Sequence, residues 1–133
     1  LTVSIDADPI RFYPFFWGHA DERGEGRGLG YNLNLPLPRK TGDEGFIAAL
    51  ATAIQRINAF APDALVVALG LDAHESDPFG GLSVTTRGFS GIGSLVGGMK
   101  LPTVLVQEGG YKNEALGANL GAFLAGFRKA HGA

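Results

Sequence analysis

The stretch Ala64-Leu-Val-Val-Ala-Leu-Gly-Leu71 contains no polar side chain, and Asp72 follows it directly. An apolar run without alternation is typical of a strand that is buried on both faces of a parallel sheet. We therefore predict a central strand here, with a carboxylate at its carboxyl end. A carboxylate in that position is costly unless it is paired, protonated or bound to a metal ion.

The segments around this run alternate between strand and helix patterns. Further strands are predicted at 1–5, 30–35 and 102–106, and helices at 42–61, 86–99 and 113–128. Thr41 and Glu44 have the spacing of a capping box at the start of the first helix, and Pro36 is expected to stop the strand before it. This alternation predicts an α/β fold in which helices cover a parallel sheet.

Composition excludes several classes of protein. A length of 133 residues fits one domain, and the absence of cysteine excludes disulfides and thiolate metal sites. The net charge of -2 and the lack of a basic stripe argue against a nucleic-acid partner. The longest apolar run is too short to cross a bilayer, so no membrane partner is expected either.

Glycine is unusually frequent, at 21 residues. Many glycines follow predicted strands, as in Gly80-Gly81 and Gly109-Gly110, where the backbone can approach a ligand. Ligands in open parallel sheets bind outside the carboxyl ends of the strands, which here precede residues 6–29, 72–84 and 107–112. The glycines between Gly91 and Gly98 are expected only to weaken a helix.

The residues alone leave each candidate site with two interpretations. Asp72 is a metal ligand or a loop aspartate that bonds its own backbone, and His74 is a second ligand or a surface residue. Tyr111 is a packing residue or a hydrogen-bond donor to an oxyanion. The aromatic run Phe12-Tyr-Pro-Phe-Phe-Trp17 favours a hydrophobic plug over a binding wall.

Five motifs stand in one order along the chain. They are Ser4-Ile5, Phe12-Tyr-Pro14, Gly28-Leu-Gly-Tyr31 with Asn34 and Pro36, Gly70-Leu-Asp72 with Asp77-Pro78, and Glu108-Gly-Gly-Tyr111. From Thr2 to about Phe127 this set resembles the histone deacetylase superfamily, specifically its bacterial branch of histone deacetylase-like and acetylpolyamine amidohydrolases. The resemblance implies a three-layer, arginase-like α/β fold with a mostly parallel sheet. It also implies zinc-dependent hydrolysis of acetyl-amides, such as acetyl-lysine or an acetylpolyamine, in the cytoplasm.

The resemblance assigns a role to each matching residue. Asp72 corresponds to a zinc ligand, and Tyr111 to the catalytic tyrosine that hydrogen-bonds the substrate carbonyl and its oxyanion. The other matches are tunnel walls at Tyr13 and Phe79, tunnel-floor backbone at Gly109 and Gly110, and ligands of structural potassium ions at Ser4, Ile5 and Tyr31. His74 matches no ligand.

The chain also departs from this family. Two further zinc ligands lie in an Asp-x-His-His-Gly segment in the family, and a catalytic histidine pair lies further upstream; neither motif is present here. We therefore expect residues 1–133 to be the C-terminal part of one catalytic domain, which binds zinc weakly and is inactive alone. Two alternatives are a non-catalytic truncated binding or oligomerisation module of the same fold and an arginase-type binuclear hydrolase. Ala73-His74 disfavours the hydrolase, because that class uses Asp-x-Asp.

The residues do not settle the substrate or the assembly. Acetylated small molecules and acetyl-lysine both suit a narrow aromatic tunnel, although Phe79 provides no carboxylate for the cationic chain of a polyamine. The sequence is compatible with assembly of several copies into a homo-oligomer.

Overall fold

The computed structural model describes residues 1–132. Its strands and helices are β1 (Thr2–Ala7), β2 (Asn32–Leu37), α1 (Asp43–Phe60), β3 (Leu65–Leu69), α2 (Thr86–Gly98), β4 (Thr103–Gln107) and α3 (Leu116–His131), with one short 3-10 turn at Gly26–Gly28. The predicted alternation of strands and helices is confirmed. None of the helices within residues 1–132 has the length and apolarity that crossing a bilayer requires.

The four strands form two parallel pairs. β1 lies beside β2 with Val3 opposite Leu33, and β3 lies beside β4 with Val67 opposite Leu105. Within residues 1–132 no strand pairing joins the two sheets. Both pairs nevertheless pack against one hydrophobic core. The parallel direction is therefore confirmed, while the single sheet is seen only as two separate halves.

The expectation that β3 is buried on both faces is wrong for the described residues. Leu69 is buried in the core, but Val66 is 71% exposed and its neighbour Val104 on β4 is 58% exposed. Successive side chains of a strand point to opposite faces, so the helices cover one face of this pair and leave the other uncovered. The apolar sequence of β3 is nevertheless typical of a strand in a sheet that is covered on both faces.

Helices α2 and α3 pack closely through glycines. A Cβ atom at Gly93 or Gly97 would overlap backbone atoms of Phe123 or Phe127, and a Cβ at Gly126 would overlap the backbone oxygen of Ser90. The expectation that the glycines of α2 only weaken the helix is therefore wrong. Two of them, Gly93 and Gly97, allow the helix backbones to approach each other.

The start of helix α1 is hydrogen-bonded to the start of helix α2. The predicted capping box is wrong, because the Thr41 hydroxyl donates to the carbonyl of Pro38 and Gly42 is the N-cap of α1. Instead the carboxylate of Asp43 accepts from both the backbone N–H and the hydroxyl of Thr85, at 2.8 and 2.7 Å. Thr85 in turn caps α2 by accepting from the N–H of Gly88.

Two other boundaries differ from the sequence prediction. Pro36 lies inside β2, opposite Asp6, and does not end the strand. Proline is tolerated there because β2 is an edge strand among the described residues. Helix α3 begins at Leu116, because the side chain of Asn113 accepts from the N–H of Ala115 and holds the preceding residues in a turn.

Candidate functional site

The carboxyl ends of β3 and β4 place two loops side by side. Leu69 pairs with Gln107, and beyond that pair the N–H of Glu108 donates to the carbonyl of Leu69 at 3.0 Å. The N–H of Leu71 then donates to the carbonyl of Gly109 at 2.9 Å. The pairing therefore continues past both strands and brings Asp72 against the glycines that precede Tyr111.

Asp72 is half-buried at this edge. Burial raises the pKa of its carboxyl group above the ordinary value of 3.8, and the negative charges of Asp77 and Asp6 raise the pKa further, while a bond from its own backbone N–H acts in the opposite direction. No side chain within residues 1–132 donates a hydrogen bond to this carboxylate. A cation would therefore stabilise its charged form.

The described residues do not form a complete metal site. No group of three or more histidine, aspartate or glutamate side chains within residues 1–132 is arranged to hold an ion. His74 is only 5% exposed, its Nδ1 lies 2.8 Å from the hydroxyl of Ser76, and its ring stacks on Phe89. The interpretation of His74 as a surface residue is therefore wrong, since its ring is part of the packed interior, while its interpretation as a second ligand stays a prediction.

Tyr111 packs against Phe79, which the sequence analysis assigned to a wall of the substrate tunnel. Their rings meet edge to face with centroids 4.5 Å apart, and Tyr111 is 48% exposed. Gly110 precedes Tyr111 with φ of +134°, a conformation that L side chains rarely adopt. The chain can therefore turn sharply here and direct the tyrosine towards Phe79.

Asp77 holds the loop that carries Phe79, a role that the sequence analysis missed. This buried aspartate accepts from the N–H of Phe79 at 2.9 Å through its side chain and from the N–H of Gly80 at 3.0 Å through its carbonyl. The signal was available, because an aspartate that bonds the backbone two residues on is a common turn. The second carboxylate oxygen of Asp77 is buried without a partner among the described residues.

The aromatic loop is mostly exposed, so the expected hydrophobic plug is wrong. Tyr13 is 78% exposed, and Phe16 and Trp17 are also exposed. Phe12 is the one aromatic side chain of this run that turns inward, packing under the guanidinium of Arg39 and beside Gly81. Aromatic contacts among the described residues do not join Tyr13 to Phe79 or Tyr111.

Of the three residues matched to potassium sites, Ser4 and Ile5 lie in β1, and Tyr31 directly precedes β2. The Ser4 hydroxyl donates to the side-chain oxygen of Asn34 at 3.3 Å, and Ile5 is the next residue of β1. The carbonyl of Tyr31 accepts from the N–H of Thr2 at 2.9 Å. Their role in binding potassium stays a prediction.

Comparison with known proteins gives consistent results. The sequence profile of the histone deacetylase domain matches residues 1–127. The chain is 50% identical over 127 residues to the acetylpolyamine amidohydrolase of Burkholderia pseudomallei, covering 96% of this chain and 37% of that protein. It is 42% identical over 130 residues to acetylpolyamine amidohydrolase 1 of Pseudomonas aeruginosa, covering 98% of this chain and 38% of that protein.

The fold comparison agrees with the sequence comparison. A crystal structure of acetylpolyamine aminohydrolase from Burkholderia pseudomallei superposes with a TM-score of 0.93 at 48% identity, over 96% of this chain and 37% of that one. The chain thus spans little more than a third of the length of these relatives. The match over residues 1–127 shows that the chain belongs to the histone deacetylase family and has part of its α/β fold.

Proposed function

We propose that this chain forms part of a zinc-dependent deacetylase domain that hydrolyses acetyl-amides. The observation that carries the proposal is the placement of Asp72 and Tyr111 on adjacent loops, where two paired strands of a histone deacetylase-type fold end. That edge is where ligands bind in parallel α/β sheets.

Asp72 contributes one ligand of the metal in this proposal. The side chain is suited to the role, because its carboxylate is half-buried, repelled by Asp77 and Asp6, and accepts no side-chain hydrogen bond among the described residues. A catalytic zinc site needs three protein ligands, so the remaining two must come from outside this set of residues. Zinc, when bound, polarises an amide carbonyl and lowers the pKa of a bound water to about 7.

Tyr111 is the catalytic residue that this chain supplies. A phenol O–H is a hydrogen-bond donor, and a donor aimed at a developing oxyanion stabilises the transition state more than the ground state. The edge-to-face contact with Phe79 restricts the ring. Phe79 and Tyr13 would line the path of the acylated chain, with the backbone of Gly109 and Gly110 at its floor.

The chain is one part of a larger domain in this proposal. It spans 37% and 38% of the two bacterial relatives, and its four strands form two unconnected pairs within residues 1–132. The exposed face of β3 and β4, with Val66 and Val104, is the kind of apolar surface that a further layer covers. That this part is the C-terminal one stays a prediction from the resemblance.

An acetylated polyamine is the substrate class that we favour over acetyl-lysine in proteins. Both bacterial relatives, at 50% and 42% identity, bear the name acetylpolyamine amidohydrolase. Phe79 supplies no carboxylate for the cationic chain, so the matching negative charge must come from other residues.

Acetate release by the purified full-length protein tests the proposal. The substrates are an acetylated diamine, an acetylated polyamine and an acetyl-lysine peptide, each assayed with the zinc-loaded protein and after chelation. We expect acetate from the acetylated amines, at higher kcat/KM than from the peptide, and loss of turnover on chelation. A folded, zinc-loaded protein that releases no acetate from any of the three would contradict the proposal and support the non-catalytic module.

A further inference from the structure

The Asp72 carboxylate lies between two glycines from neighbouring loops, Gly70 and Gly109. We propose that these glycines are positioning residues, because their missing side chains leave the space that the carboxylate occupies in the orientation of a metal ligand. The inference rests on the proposed function, because that function makes Asp72 a ligand.

The steric argument is strongest at Gly109. A Cβ atom at this residue would lie 2.7 Å from Oδ1 of Asp72, and the other carboxylate atoms would be closer still, whereas real Cβ contacts are essentially never under 3.0 Å. A Cβ at Gly70 would also lie 2.7 Å from Oδ1 of Asp72. At both positions the nearest atoms belong to Asp72, so an alanine would push the carboxylate away.

Backbone conformation does not explain either glycine. Neither Gly70 nor Gly109 has a positive φ, so other residues could adopt the backbone conformation there. Gly110 differs, because its φ of +134° would strain any other residue. The missing side chain is therefore what Gly70 and Gly109 contribute.

The two glycines cannot easily move apart. Gly109 is held by the bond from the N–H of Leu71 to its own carbonyl, and Gly70 lies between Leu71 and Leu69, which accepts from the N–H of Glu108. No side chain of the described residues bonds the Asp72 carboxylate, so its present orientation depends on the space that is free at the two glycines. A ligand oxygen must be held to within about 0.5 Å, so a small displacement matters.

Zinc affinity of the full-length protein is the first test. We expect Gly109→Ala and Gly70→Ala to weaken zinc binding by about 10–100-fold, the range known for groups that orient a ligand. Gly121→Ala is the matched control, because a Cβ there meets nothing within 4 Å. Unchanged zinc affinity in both Gly70→Ala and Gly109→Ala would overturn the inference.

A double-mutant cycle separates this inference from the proposed function. In the metal-free protein, Gly109→Ala should lower the melting temperature when Asp72 is present and should have no such effect beside Asp72→Ala, because the clashing carboxylate is then gone. An equal loss in both backgrounds would contradict the inference. If Asp72→Ala alone retains zinc, the proposed ligand role fails, whereas the cycle still shows whether the carboxylate occupies the space that the glycines leave.

Discussion

Glycine creates close contacts in two regions of this molecule, with different consequences. Between α2 and α3, a Cβ at Gly93 or Gly126 would meet backbone atoms of the facing helix. Beyond β3 and β4, a Cβ at Gly70 or Gly109 would meet the side chain of Asp72. A helix backbone can yield only by moving the helix, whereas a carboxylate can rotate. Substitutions in the first region should therefore cost more stability, whereas substitutions in the second should mainly change the geometry of the site.

The largest expected effect is on turnover, at the site. Asp72→Asn replaces the carboxylate with a neutral amide of similar shape, so we expect kcat/KM of the full-length protein to fall at least about 10³-fold, or about 4 kcal/mol. The measurement is acetate release from an acetylated polyamine. Activity within tenfold of wild type would remove Asp72 from the mechanism.

Tyr111→Phe should have the next largest effect. Loss of a hydrogen-bond donor to an oxyanion costs about 10²–10³ in rate, and the phenyl ring preserves the contact with Phe79. We expect this loss in kcat, with little change in thermal stability. A phenylalanine variant with full kcat would show that the hydroxyl has no part in the reaction.

The helix contact predicts a change in stability without a change in chemistry. Gly93→Ala places a methyl group against the backbone of Phe123, so we expect the free energy of unfolding to fall by about 3 kcal/mol. Chemical denaturation measures this loss, while kcat per folded molecule should stay that of the wild type.

The control for that variant lies on the other helix of the pair. Gly121→Ala, on α3, meets nothing within 4 Å and should add about 0.4–1 kcal/mol. If Gly93→Ala were as well tolerated as Gly121→Ala, the close contact between α2 and α3 would be disproved.

The smallest expected effect is a pH dependence in the metal-free protein. Burial raises the pKa of the Asp72 carboxyl group above 3.8, so the folded protein holds this proton more tightly than the unfolded chain does. The associated stability is fully present below pH 3.8 and is lost as pH rises through the raised pKa. We expect metal-free Asp72→Asn to be more stable than wild type at neutral pH, with the difference vanishing in acid. Denaturation at a series of pH values checks this, and a difference that grows in acid would contradict it.

Local patterns were sufficient to predict the elements and their direction. The apolar run before Asp72 predicted β3, and its position placed Asp72 and Tyr111 at one edge of the sheet, where the structure has them. Burial was harder to predict, because an apolar strand such as β3 does not reveal whether its second face is covered. Val66 is exposed among the described residues, because none of their segments packs on that face of the strand.

Contacts between distant residues account for the other differences. From the sequence alone, Gly93 is expected only to weaken helix α2. The structure shows that the backbone of Phe123 approaches so closely that no side chain fits at this position. The sequence alone predicted a ligand or a surface residue at His74, whereas the structure shows its ring stacked on Phe89. Likewise, nothing local to Gly109 indicates that its missing side chain leaves space for Asp72.

The zinc content of two purified full-length variants, Asp72→Asn and Tyr111→Phe, distinguishes a metal ligand from a residue that acts on the substrate. We propose that Asp72 holds the metal and that Tyr111 acts on the substrate. We expect folded Asp72→Asn to lose its zinc and Tyr111→Phe to retain one zinc ion per chain. Retention of zinc by Asp72→Asn at wild-type affinity would contradict this proposal.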